Sequence, residues 1–166
     1  MSAEPPTIDT KKPRTGKFLT FKLSTETYAV EVLKIKEIIR MQRIKPVPHL
    51  PAYMKGIINL RGKVIPVVDL RMKVGLDTNE ETERTCVIVA QVHLNDESPV
   101  APVGMIVDAV EEVLNISEEH VVNNPNIGSN FDNRFIQGLA KINDSIVTLL
   151  EIDRLFSEDD ALTMQA

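Results

Sequence analysis

The sequence predicts an all-β protein of two small barrels with short helices, and three observations predict it. Val and Ile together make up 34 of the 166 residues, while Trp is absent and aromatics stand at 4%; such β-branched content suits packed strands. Two segments carry a hairpin signature, an apolar run, a polar turn and a second apolar run. The chain also matches itself in pattern, the mark of a duplicated unit.

Residues 1–16 hold Pro5, Pro6, Pro13, Lys11, Lys12 and Arg14 without an apolar core segment, so a disordered tail is expected. Residues 28–39 (YAVEVLKIKEII) match residues 103–114 (VGMIVDAVEEVL) in a small second position and an acid followed by two apolar residues. Residues 53–70 (YMKGIINLRGKVIPVVDL) match residues 135–152 (FIQGLAKINDSIVTLLEI), each with an aromatic, then Gly56 or Gly138, a strand, a polar turn (59–63, 141–145), a strongly apolar strand and an acid. The matched positions lie 75 apart (28 and 103) and 82 apart (56 and 138), so the units differ in loop length. The acidic stretch 77–83 separates them, and the apolar run 86–92 (CVIVAQV) opens the second as a buried strand. Barrels over 17–84 and 85–157 follow, with strands free to cross between them and a tail or short helix over 158–166. Turn-forming residues place loops at 46–51 (PVPHLP) and 123–130 (NNPNIGSN).

Composition and motifs exclude most chemistry. A net charge of -5 with both signs interspersed lacks the positive field that phosphate backbones demand, so no nucleic acid is expected. The amino terminus offers neither signal peptide nor membrane anchor, and a lone cysteine, Cys86, excludes an internal disulfide and fits a reducing cytosol. Gly56 to Gly62-Lys63 is one residue too long for a phosphate loop, and Val64 supplies no hydroxyl for a metal. His49, His93 and His120 lie far apart, and Cys86 heads an apolar run as core filler, its sole nearby cation being Arg84. Glu111-Glu112 and Glu118-Glu119 read as solvated faces rather than a catalytic pair. No catalytic, cofactor or metal residue is named, and a binding protein is expected, working through grooves and strand edges.

Residues 50–74 (LPAYMKGIINLRGKVIPVVDLRMKV), with the NLRG turn at 59–62 and the IPVVD strand at 65–69, resemble the central signature of the chemotaxis coupling family CheW. FLTFKL at 18–23, the 28–38 segment, VGMIVD at 103–108 and FIQGL at 135–139 continue the resemblance over about 17–157, with Ala29 and Glu31 as conservative departures from the Gly and Asp common in the family. The resemblance implies two SH3-like five-stranded barrels and a non-catalytic cytoplasmic adaptor that joins chemoreceptor hairpin tips to the regulatory domain of the histidine kinase CheA. The expected protein-binding residues are Ile35, Glu37, Gly56, Arg61, Gly62 and Val64, of which the resemblance implies Ile35, Glu37 and Arg61. Arg61 offers a rigid fork for a carboxylate, either Glu37 or an acid on a partner. With neither kinase nor receiver sequence in the 166 residues, a free-standing adaptor is expected; the alternatives are a regulatory module that works fused to a kinase or receiver, and a small ligand-binding barrel or enzyme.

Overall fold

A computed structural model describes residues 15–77, 80–93, 100–122 and 135–155; the expected loop at 123–130, residues 1–14 and the segment 158–166 lie outside them. The described chain is all-β with short helices, as expected: β1 (Gly16–Leu23), β2 (Glu26–Glu31), β3 (Ile35–Arg40), β4 (Met54–Leu60), β5 (Lys63–Asp69), β6 (Cys86–Val92), β7 (Ala101–Val107), β8 (Ala109–Ile116), β9 (Val121–Val122), β10 (Ile136–Ile142) and β11 (Ser145–Leu150). One-turn helices, Leu70–Lys73 and Ile152–Leu155, follow β5 and β11.

The strands form two SH3-like units. One sheet runs β3-β6-β7-β5-β4 and the other β8-β1-β2-β11-β10-β9. The matches found in sequence pair β2 with β7, β3 with β8, β4 with β10 and β5 with β11. Pairing β1 with β6 as well, the first sheet order becomes β8-β1-β2-β11-β10, which is the second sheet without its two-residue β9. Each sheet therefore takes two adjacent strands from one half of the sequence, β6 and β7 in the first sheet and β1 and β2 in the second, and the rest from the other half.

Register carries the duplication to the residue. The parallel contacts set Val67 beside Gly104 in one sheet and Leu149 beside Ala29 in the other, which are the same two positions in each copy. Bulges fall between Met54 and Gly56 in β4 and between Ile136 and Gly138 in β10. Both hairpins close on two residues with positive φ, Arg61 (51°) and Gly62 (85°), Asn143 (50°) and Asp144 (66°). Such a pair makes the mirror-image turn whose twist matches the flanking strands. The loops are thus shorter than the polar stretches in the sequence; Asn59 belongs to β4, and its Oδ1 accepts from the Gly62 N–H at 2.9 Å.

Among the described residues the core divides into three apolar clusters. Ile58, Leu60, Ile65, Val67, Val87, Val89 and Ile106 pack in the first sheet, and Phe18, Ala29, Ile116, Ala140, Val147 and Leu149 in the second. The largest cluster lies between the sheets, with Phe21, Leu23 and Tyr28 from one meeting Val68, Ile88 and Met105 from the other. Strand β6 explains its apolar run from Val87 to Ala90 in this way: Val87 and Val89 face the inner cluster while Ile88, Ala90 and Val92 face the shared one, and a stretch buried on both faces has no polar side to show; Gln91 alone is exposed.

Two ionic clasps tie the sheets together. Arg71, 6% exposed, donates to Asp69 through Nε (2.9 Å) and Nη2 (2.9 Å) and to Asp108 through Nη1 (2.7 Å). Asp108 also accepts from the Ser24 N–H at 2.6 Å. At the related position Asp153 accepts from Lys34 Nζ at 2.6 Å and from the His93 N–H at 2.9 Å. Arg71 and Asp153 are counterparts, 82 apart, so the copies use the same corner with opposite charge. Hydrogen bonding to Asp69 raises the Arg71 pKa, against a smaller downward push from burial.

Candidate functional site

Among the named residues the structure brings Glu37 and Arg61 into direct contact. Arg61 lies at the first position of the β4–β5 turn, where a left-handed backbone projects its side chain outward. Arg61 Nη1 donates to Glu37 Oε2 at 2.7 Å and Nη2 to Oε1 at 2.8 Å, a planar bidentate pair. Of the two carboxylates expected for Arg61, the internal one is in place. The contact spans the two end strands of the first sheet, since β3 and β4 occupy opposite ends of its order.

The Arg61 side chain is 71% exposed and that of Glu37 21%, so an approaching molecule meets the guanidinium first. Hydrogen bonding to Arg61 holds the Glu37 carboxyl below the usual glutamate range, against an opposing push from desolvation and with help from the Arg61 and Lys36 charges. Glu37 in turn raises the Arg61 pKa. Both groups stay ionised across the neutral range.

The remaining four residues divide by what they can touch. Val64 follows the turn on β5 and is 64% exposed, an apolar side chain three positions after Arg61. Gly62 completes the turn, and a Cβ there would meet open space. Ile35 starts β3, half-buried against the shared cluster. Gly56 is buried with φ +142°, and a Cβ there would come within 2.0 Å of the Lys45 carbonyl oxygen. Its part is to let the segment around Lys45 approach β4 closely, where the Lys45 and Ile57 backbones exchange two hydrogen bonds of 2.9 Å.

That approach forms a groove absent from the sequence reading. It encloses about 530 Å³ and is lined by Ile44, Pro46, Ile57, Ile58 and Val64, with Asn59, Arg43 and Lys45 on its rim. Arg71, Asp69 and Asp108 were also not singled out. An acid closing an apolar strand with an arginine two positions on was the local signal for the first two, but nothing near Asp108 in sequence marks it as their partner.

The second copy departs at this site. Glu112 stands at the Glu37 position and Asn143 at the Arg61 position, so the internal pair has no equivalent there. Burial pushes the Cys86 thiol up, a backbone hydrogen bond with Val110 opposing it, and the residue packs against the shared cluster. Among the described residues no three His, Cys, Asp or Glu side chains gather as a metal site, and no helix is long and apolar enough to cross a membrane.

Known proteins resemble this chain in sequence and in fold. A probable chemotaxis protein CheW of Rhizobium etli is 34% identical over 143 residues, covering 86% of this chain and 88% of that protein. The chemotaxis protein CheW of Rhizobium meliloti is 35% identical over 142 residues, with the same coverage of 86% and 88%. The crystal structure of scaffolding protein TtCheW from Thermoanaerobacter tengcongensis superimposes with a TM-score of 0.76 at 29% identity, covering 89% of this chain and 96% of that one. The sequence profile of the CheW-like domain matches residues 17–160, and this chain belongs to the CheW-like domain family.

Proposed function

We propose that the protein is a chemotaxis scaffold without catalysis of its own, which couples the cytoplasmic hairpin tips of chemoreceptors to the regulatory domain of the histidine kinase CheA. The observation that carries this reading is the exposed corner of the first unit, where the Glu37–Arg61 pair holds a guanidinium outward on the turn that leads to the exposed Val64. A preorganised charge together with a bare apolar side chain is the composition of an interface anchor. Ile35, Glu37, Arg61, Gly62 and Val64 form the docking face, and Gly56 shapes it. The protein works in the cytoplasm, recruited to membrane-associated receptor arrays.

Each pairwise contact needs only modest strength, because a scaffold touching two neighbours gains apparent affinity through effective concentration. The test is reconstitution: mixing the protein with a chemoreceptor fragment and CheA raises receptor-dependent kinase activity and co-sediments all three. Absence of a ternary assembly would sink the adaptor reading. Arg61→Glu keeps the fold, since an exposed turn tolerates either charge, and weakens binding to one partner about tenfold. Unfolding of that variant would assign Arg61 to structure instead.

A further inference from the structure

Charges that look interspersed over the whole chain separate by segment. Residues 33–64 contain eight lysines and arginines and one acid, Glu37, whereas residues 85–122 contain seven acids and no lysine or arginine. The groove beside β4 lies within the first segment. Its floor is apolar, and Arg43 and Lys45 on its rim are exposed; among the described residues neither is paired with a carboxylate.

The backbone at this edge limits what can enter. Ile57 already gives its N–H and C=O to Lys45, so an added strand finds the middle of the β4 edge occupied. Side chains can still enter the groove, which is the mode of an amphipathic helix. The second copy lacks the charges. Its equivalent of the Lys45–Ile57 bridge pairs Val122 with Leu139, with His120 and Val121 in place of Arg43 and Ile44. A barrel of this kind therefore folds without the cations, and their presence in the first copy calls for another cause.

We propose that this groove docks an amphipathic helix of a protein partner, one that sets a large apolar side chain into the floor and two carboxylates, one turn apart, against Arg43 and Lys45. Helical residues four apart share a face and lie about 6 Å apart, close to the roughly 7 Å between residues two apart on an extended segment, so two such acids can meet Arg43 and Lys45 on one rim. The inference deepens the adaptor reading by naming the chemistry of one partner, and it rests on that reading only in taking the occupant to be a protein.

The test titrates the ¹⁵N-labelled full chain with two synthetic helix-forming peptides, each with a leucine at position i, one carrying glutamates at i+3 and i+7 and the other lysines at the same positions. The glutamate peptide shifts the amides of Ile57, Asn59 and Val64, and its affinity falls about tenfold in the Arg43→Glu/Lys45→Glu double variant and in high salt. The lysine peptide leaves those amides in place. Equal binding of both peptides, shifts confined to other surfaces, or retention on phosphatidylserine vesicles that the glutamate peptide does not displace would each overturn the proposal. A protein that assembles receptor and kinase but ignores the glutamate peptide loses this inference alone; one that binds the peptide here but assembles nothing loses the adaptor reading alone.

Discussion

Arg61 and Glu37 show how little of a contact is visible in a string of letters. The pair spans 24 positions, and the sequence offered Glu37 as only one of two partners for Arg61. Tertiary structure places the internal partner in reach, by bringing the turn after β4 close to β3 from the other end of the sheet. The electrostatic consequence has a definite sign. Because the Glu37 pKa is depressed in the folded protein, the pair's contribution is present above the ordinary glutamate pKa and is lost as pH falls through the lowered folded value. Carboxyl-resolved NMR titration finds the Glu37 midpoint below the usual glutamate range, and Arg61→Ala returns it there. A midpoint unmoved by Arg61→Ala would mean that another group holds the carboxylate ionised.

Among the elements, the hairpin β4–β5 and its counterpart β10–β11 were the most legible, because everything that defines a hairpin lies within a strand length: alternating burial, a glycine at the bulge, two turn residues of positive φ. The groove beside β4 was not legible, since it needs the segment around Lys45 to fold back on Ile57. Gly56 makes that fold-back possible. Gly56→Ala places a methyl group against the Lys45 carbonyl at a backbone angle that side chains disfavour, and a loss of about 2 kcal/mol or more follows. Thermal melting reads this as a lower midpoint, and amide exchange at Ile57 becomes faster. A variant with wild-type melting and unchanged exchange would show that the Lys45 segment yields without cost.

At the scale of the molecule, the two sheets are held by the shared apolar cluster and by ionic clasps of opposite polarity. Arg71 is nearly enclosed and satisfies two carboxylates, so Arg71→Met leaves Asp69 and Asp108 facing each other without a cation in a largely dry site. Removing one member of a buried charged group costs about 3–5 kcal/mol, and chemical denaturation measures it directly. Lys34→Met, at the more exposed clasp with side chains 19% and 25% accessible, costs under about 1 kcal/mol. Equal losses at the two clasps would contradict the difference in burial. The inverted charges also match each corner to its own partner: a unit docked in the other's place would set Arg71 toward Lys34 and Asp153 toward Asp108.

The sequence by itself determined that the protein is all-β, that it is duplicated, where its two closing hairpins lie and which family signature it carries. All of these depend on patterns read within one strand or one turn, or on direct comparison of such patterns. Only the tertiary structure decided which sheet each strand joins, that Arg61 meets Glu37, that Arg71 meets Asp108, and that a basic groove opens beside β4. Those outcomes depend on which distant surfaces bury one another. Strands β2 and β11 run side by side from opposite ends of the chain because both sheets must cover the cluster of Phe21, Tyr28, Val68, Ile88 and Met105, and no local pattern records that requirement.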